Sequence, residues 1–325
     1  TQQGRSSGDS FLHPPSLTLP KGGGAIRGMG EKLSANPVTG SMSLSVPLPS
    51  SPTRGSVILP LSLSYDSAAG NGPFGWGFGI SLPTITRKTD KGLPQYCDDE
   101  ESDVFLLLGA EDLVPALRKQ GGDWVPDVVA RRLSDGATYT VRRYRPRTEG
   151  LFARIERWTH SQTGETHFRS VDRNNQTSVF GRTADSRISD PQDPKRVFSW
   201  LLCESYDDRG NASLYQYKAE DSAGIDAGML NERNRTAQGR SANRYLKRVR
   251  YGNKTPRRPD EDLSQRSDWL FELVLDYGEH DDAAPAPQEL RPWATRRDPF
   301  SSYRSGFEVR TYRLCRRILM FHHFP

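Results

Sequence analysis

The side chains that could react or hold a metal are few and scattered. Six histidines stand at 13, 160, 167, 280, 322 and 323. No His-Glu-x-x-His occurs, so two imidazoles one helical turn apart are not offered to zinc. His322 and His323 are adjacent, and on a strand neighbouring side chains point to opposite faces, which keeps them from sharing one ion. Cys97, Cys203 and Cys315 are each more than 100 residues from the next. An odd count without Cys-x-x-Cys excludes a zinc knuckle and argues against a disulfide framework. Cys203 and Cys315 fall in apolar, strand-like runs and read as buried thiols. Asp98-Asp99-Glu100-Glu101 gathers carboxylates but lacks the Asp-x-Asp-x-Asp-Gly spacing of a calcium loop, so it reads as a solvated turn. The Gly-x-Ser-x-Gly spacing at Gly4 to Gly8 falls in a Ser/Gly-rich stretch rather than between a strand and a helix, and no Walker phosphate loop occurs. No catalytic, cofactor-binding or metal-binding residue is assigned, and no cofactor is expected.

The stretch closest to a ligand loop is Gly70 to Thr89 (GNGPFGWGFGISLPTITRKT). Its spacing is not the Gly-x-Gly-x-x-Gly of a dinucleotide site, and a β-branched run follows it. A period of two would place Gly75, Gly77 and Gly79 on one face as close-approach positions, with Phe74, Trp76 and Phe78 on the other. That predicts a structural wedge. The expected core is Trp76, Phe78, Ile80, Leu82, Leu201, Leu314 and Phe321.

The elements around it read as all-β. Hydrophobic residues make up 34% of 325 residues, while 29 glycines and 23 prolines supply turns. The net charge of +5 is spread among acids, which argues against a nucleic-acid surface. No run of apolar residues is long enough to span a membrane as a helix. Residues 1–19 read as a disordered tail and residues 20–325 as one β domain, cut from something longer. Hairpins are expected across Ser134-Asp135-Gly136, His160 to Gly164 and Asp207 to Asn211. Residues 219–242 read as an excursion with a helical turn near Met229, and Phe307 to Phe321 as a final strand. Six tryptophans could alternatively offer stacking faces to a glycan or receptor, although most tryptophans are core.

Three blocks carry a family resemblance: LPKGGGAIRGMGEKLSANPVTGSMSLSVPLP at 19–49, PLSLSYDSAAGNGPFGWGFGISLPTITRKT at 60–89, and RSGFEVRTYRLCRRILMFHHFP at 304–325. With them the chain resembles the N-terminal SpvB/TcaC-type domain of the B component of bacterial insecticidal Tc toxin complexes (TcdB/TcaC-like), shared with the N-terminal half of Salmonella SpvB. The resemblance implies a non-catalytic part of a large β-sheet shell related to RHS/YD-repeat cocoons. It implies an RHS-repeat C component and its enclosed cytotoxic effector as partners. It places contact with the A component on a propeller outside this chain, and implies neither nucleic-acid binding nor membrane insertion. Localisation is expected to be cytoplasmic before release, then secreted. The alternative is a secretion, delivery or receptor-binding domain of an SpvB-like effector whose ADP-ribosyltransferase lies elsewhere. That enzyme's Ser-Thr-Ser and Glu-x-Glu motifs are absent here.

Overall fold

Polar turns between alternating runs fold this chain into strands that pair antiparallel throughout. The computed structural model describes residues 32–36, 40–54, 61–148, 150 and 152–324. The expected tail and His13 lie outside them. The described residues fall into two compact units: residues to Pro49 with Leu61 to Ser81, and Ser50 to Arg54 with Leu82 onward.

The first unit contains β1 (Lys32–Asn36), β2 (Ser41–Pro47), β3 (Ser62–Asp66), β4 (Asn71–Gly72), β5 (Gly75–Trp76) and β6 (Phe78–Ile80). One sheet runs β1-β2-β3-β6, and β4 pairs with β5. Directly opposed residues share a face, so the register sorts the sequence cleanly. Leu33, Leu44, Tyr65 and Phe78 form one row, and Val46, Leu63 and Ile80 the next. Ser45 and Ser64 face the other way, beside Ser34 and Ser43, whose hydroxyls bond at 2.6 Å.

The glycine-aromatic stretch does not keep its expected period. Gly75 and Gly77 have φ of +104° and +76°, so the chain turns twice between β4 and β6 instead of staying extended. Trp76 and Phe78 are therefore 67% and 39% exposed, and Ile80 and Leu82 half-buried; none of the four is core. Of the three glycines, only Gly77 is a close-approach position. A Cβ there would lie 2.5 Å from Tyr65 Cε2 and 2.9 Å from the Asp66 carbonyl oxygen. Gly75 has open space, and Gly79 has only an ordinary contact. Gly77→Val combines left-handed strain with overpacking and should cost about 1–3 kcal/mol or more. An unchanged melting curve for the variant would contradict this account.

The second unit begins with β7 (Thr84–Arg87), β8 (Phe105–Leu107), β9 (Glu111–Pro115), and the hairpin β10 (Leu117–Gln120) with β11 (Asp123–Pro126). It continues through β12 (Val128–Arg132), β13 (Thr138–Pro146), β14 (Arg154–His160), β15 (Thr166–Val171), β16 (Thr177–Phe180), β17 (Arg187–Ser189) and β18 (Val197–Tyr206). It ends with β19 (Ala212–Ala219), β20 (Arg244–Asn253), β21 (Trp269–Asp276), β22 (Phe300–Ser302), β23 (Val309–Thr311) and β24 (Arg317–His322).

The expected hairpins form, and long-range pairings close them into a ring. Strand β18 is shared: Ser199 to Leu201 pair with β7, Leu202 to Tyr206 with β16, and Glu204 to Tyr206 with β19. The order β18-β7-β8-β9-β13-β14-β15-β16 thus returns to β18 as an eight-stranded barrel. Phe105, Phe168 and Trp200 meet edge to face inside it, with centroids 5.0–5.6 Å apart, and Tyr144 joins Phe105 at 5.7 Å. Beyond the barrel the sheet opens outward as β19-β20-β21-β24.

The Asp207 turn hands the chain from barrel to open sheet. Asp207 Oδ1 accepts from the Arg209 and Asn211 amides at 3.0 and 2.9 Å. Gly210 has φ +79°, and a Cβ there would meet Pro256 Cβ at 2.8 Å.

Leu201 is core, as expected, but Leu314 and Phe321 are half-buried. The expected final strand is broken into β23 and β24 because Arg313 leaves the sheet for a buried carboxylate, Glu220. Within the excursion the helical turn is at Ala237–Arg240, capped by Thr236 Oγ1, which accepts from the Gly239 amide at 2.9 Å. Met229 is 56% exposed.

Candidate functional site

The acidic turn is only partly solvated. Asp99 and Glu100 face water, but Asp98 and Glu101 turn toward one end of the barrel. Asp98 accepts from both terminal nitrogens of Arg87 at 2.5 and 2.9 Å, and Asp103 accepts from Nη1 at 2.8 Å. The Arg87 guanidinium lies 4.7 Å from the Tyr96 ring centroid and 5.3 Å from that of Trp200. Glu101 accepts from Tyr144 Oη at 2.7 Å and Arg157 Nη2 at 2.8 Å. Burial pushes the Tyr96 hydroxyl up to about 12 and Tyr144 higher, so both remain neutral donors. This is an ion-pair plug over an aromatic core, with Arg157 Nε and Nη1 left without hydrogen-bond partners. A sequence reader sees only Arg87 at the end of a Thr-Ile-Thr-Arg run, where cations are usually solvated.

Asp276, Glu279 and His280 bring three buried donor groups within 4.8 Å, the one such cluster found among the described residues. A cation already fills it. Lys247 Nζ lies 3.1 Å from Glu279 and 3.0 Å from His280 Nε2, and donates to the Leu275 carbonyl at 3.1 Å. His280 Nδ1 donates to the Ala286 carbonyl at 2.8 Å, which leaves Nε2 to accept from the lysine. Asp276 accepts from Arg317 Nη2 at 2.6 Å and from the Gly278 amide at 2.8 Å. Burial alone would raise the Asp276 pKa, but Arg317 and the Gly278 and His280 amides outweigh it and hold it at about 2. This lowered value stabilises the fold above the ordinary aspartate range of about 3.9. The contribution is lost as pH falls through about 2. The urea midpoint should drop between pH 5 and 2, and Asp276→Asn should flatten that dependence.

The other chemistry-bearing residues are dispersed. His322 Nε2 lies 3.0 Å from Ser51 Oγ and His323 Nε2 lies 2.9 Å from Glu272, so the pair does point to different partners. His167 is buried, and desolvation with Arg169, Arg182 and Arg187 keeps its pKa well below the usual value. Cys203 is buried, Cys315 partly so, and Cys97 exposed. Burial pushes Cys203 and Cys315 up to about 12. A disulfide reagent should therefore titrate one fast thiol in the native protein and three after denaturation; two fast thiols would refute this.

A cleft of about 660 Å³ opens beside the barrel, lined among others by Tyr96, Asp98, Glu165, Arg187, Asp190 and Arg244. Its acids are largely engaged already: Asp98 by Arg87, Asp190 by Arg196 at 2.6 Å, and Glu165 by Arg187 at 3.5 Å.

One sheet edge is also unpaired among the described residues. In the open sheet, β20 and β21 oppose Val249 to Leu273 and Tyr251 to Phe271 on one face. On the other, Arg248 and Arg250 converge on Glu272 at 2.6 and 3.4 Å. Strand β24 pairs with β21 from Phe271–His322 to Asp276–Arg317, and has no second neighbour among the described residues. Its Ile318, Leu319, Met320 and Phe321 are half-buried.

The family described as "Salmonella virulence plasmid 65kDa B protein", SpvB, matches residues 36–324. The chain belongs to the SpvB family. It is 41% identical to the mono(ADP-ribosyl)transferase SpvB of Salmonella choleraesuis over 97% of its own length and 52% of that relative. It therefore spans about half the length of the curated relatives it matches. The solved N-terminal domain of effector protein SpvB from Salmonella typhimurium superposes with a TM-score of 0.77 at 41% identity, covering 86% of this chain and 88% of that one. The crystal structure of TcdB2-TccC3 superposes at 0.81 and 40% identity over 96% of this chain and 15% of that one. The Photorhabdus luminescens Tc holotoxin pore gives 0.81 and 40% over 97% and 14%. The SpvB-family fold is thus found both in a separately solved domain and within much longer toxin chains.

Proposed function

We propose that this SpvB-family chain is a non-catalytic wall module of a toxin complex B component. With an RHS-repeat C component it forms part of a hollow β-shell around a cytotoxic effector. The A component contacts a propeller outside these residues, and the assembly is secreted. The observation that carries the reading is the edge of β24, unpaired among the described residues, at the end of a sheet that continues outward from a closed barrel. A wall needs an edge that pairs onward, whereas a free-standing domain blunts it. The fit to two B–C toxin structures at 40% identity supports the same reading, as does the engagement of Asp98, Asp276 and His280 by internal partners.

A second reading has its own support. The transferases named SpvB match at 41% identity, with this chain spanning 52% of their length. On that reading the chain is the delivery domain of an effector whose catalytic part lies outside it.

Co-expression of the full-length protein with an RHS-repeat C component, followed by size exclusion, separates the two. A joint peak is expected. Its absence, together with transfer of labelled NAD by the full-length protein, would overturn the wall reading in favour of the second.

A further inference from the structure

The cleft beside the barrel gathers more positive charge than its own acids answer. Arg157, Arg187, Lys195 and Arg244 line it, together with Asp98, Asp99, Glu165 and Asp190. Asp98 is neutralised by Arg87 and Asp190 by Arg196, at 2.5 and 2.6 Å. Glu165 is 62% exposed in its side chain and stands 3.5 Å from Arg187 Nη2, long for a hydrogen bond. Asp99 is exposed. The cations sit deeper. Arg157 is 5% exposed and shares one carboxylate, Glu101, with Arg142. Its guanidinium lies 5.6 and 5.7 Å from the Phe105 and Tyr144 ring centroids. Stacking covers the face of that group but leaves the in-plane N–H donors to be answered, and Nε and Nη1 have no partner. Arg244 Nη1 donates to the Ser241 and Asn243 carbonyls at 2.7 and 3.0 Å, while its Nε has no partner. Neither Arg244 nor Lys195 makes an ion pair among the described residues. Burial lowers the Arg244 pKa, and Asp185 is the one carboxylate opposing that shift. Holding a charge out of water is costly unless an opposite charge pairs with it.

Size and charge choose the occupant. A volume of about 660 Å³ is that of a small-molecule or short-peptide site. Guanidinium forks match the two oxygens of a carboxylate. A phosphate offers the same oxygens but carries close to two charges, and it would lie beside Asp99 and Glu165. A single carboxylate meets less repulsion there. It also leaves those two acids to receive a cation or hydroxyl elsewhere on the same ligand.

We propose that this cleft binds a carboxylate-bearing ligand, a small organic acid or an acidic residue of a peptide. Arg187 and Arg244 grasp the carboxylate, Lys195 attracts it from the rim, and Arg157 supplies positive charge from the barrel side. Such a site serves a wall module and a delivery domain alike, so it stands apart from the choice between them.

Titration of the full-length protein with three probes, followed by saturation-transfer NMR, tests this. The probes are N-acetylglutamate, the acetylated tetrapeptide amide Gly-Glu-Lys-Gly, and inorganic phosphate. Saturable binding of the carboxylates is expected, roughly tenfold tighter than phosphate. A peptide that binds roughly tenfold tighter than N-acetylglutamate assigns the site to peptides, and comparable affinities assign it to small acids. Arg244→Gln should weaken carboxylate binding by roughly tenfold or more, the loss expected for a charge-assisted contact. Arg244→Lys should lose less, since an ammonium keeps the charge without the fork. Lys195→Gln changes an exposed side chain. It should leave the melting transition in place and weaken binding by about threefold. Absence of saturable carboxylate binding overturns the proposal, and so does tighter binding of phosphate. Unchanged carboxylate affinity in Arg244→Gln also overturns it; where that variant does not fold, unchanged affinity in Lys195→Gln does so alone.

Discussion

Arg313→Met should lower the stability of the second unit by about 3–5 kcal/mol, the cost of leaving a buried carboxylate without its cation. Arg313 is fully buried and its partner Glu220 is 2% exposed. The guanidinium donates through Nε to Glu220 at 2.8 Å and pairs through Nη2 with the other carboxylate oxygen. Nη1 donates to the Ala223 carbonyl at 2.9 Å and the Trp293 carbonyl at 3.2 Å, while the group lies 4.3 Å from the Trp293 ring centroid. One side chain thereby ties the excursion after β19, the loop carrying Trp293 and the segment before β24. Methionine keeps the apolar contact and loses every donor. Adding Glu220→Gln removes the stranded charge and should recover part of the loss, because burying an unpaired ion is the larger cost. Arg313→Lys should lie between, since an ammonium cannot make the forked contact. Urea denaturation followed by Trp fluorescence checks the series. A single-variant loss below about 1 kcal/mol, the usual surface range, would contradict the account.

The second large effect is expected at Arg87. Its side chain is 1% exposed and bridges Asp98, Asp103 and the Val197 carbonyl, the last at 2.7 Å. Arg87→Leu should again cost about 3–5 kcal/mol. It strands Asp103, 6% exposed, more than Asp98, 25% exposed, so Asp103→Asn is the better rescue. Asp99→Asn, an exposed neighbour on the same turn, should stay within about 0.5 kcal/mol. Near-ultraviolet circular dichroism gives an independent readout, because the guanidinium rests against Tyr96, Phe105 and Trp200. A variant that keeps both its spectrum and its midpoint would show that the plug is dispensable.

Local features of this fold were legible and distant ones were not. Ser134-Asp135-Gly136 and Asp207 to Asn211 announced hairpins because an aspartate carboxylate can hold the turn amides and glycine can take a positive φ. Nothing local announces that β18 pairs with β7, more than 100 residues earlier, so barrel closure was invisible. The Gly70 to Thr89 stretch misled because alternation alone cannot tell an extended strand from successive left-handed turns. The buried charges misled for a related reason. Arg87 lies between Thr86 and Lys88, Arg157 follows Glu156, and Arg313 lies between Tyr312 and Leu314, so no common local pattern marks them as buried, and their carboxylate partners lie 11, 56 and 93 residues away. The histidine pair and the thiol at Cys203 were readable because each depends only on strand geometry or on the apolar run around it. The resemblance supplied the shell; the residues alone stopped at antiparallel β.

Among the described residues, the side of β24 turned away from β21 is unpaired, and that has a consequence for how these residues behave by themselves. Four successive large apolar residues, Ile318 to Phe321, lie on a strand that one neighbour holds and no charge interrupts. Such a ribbon welcomes any other unsatisfied strand, including its twin on the next molecule. Prepared by themselves and crowded, these residues are drawn toward strand-to-strand stacking; with the edge covered, they stay dispersed.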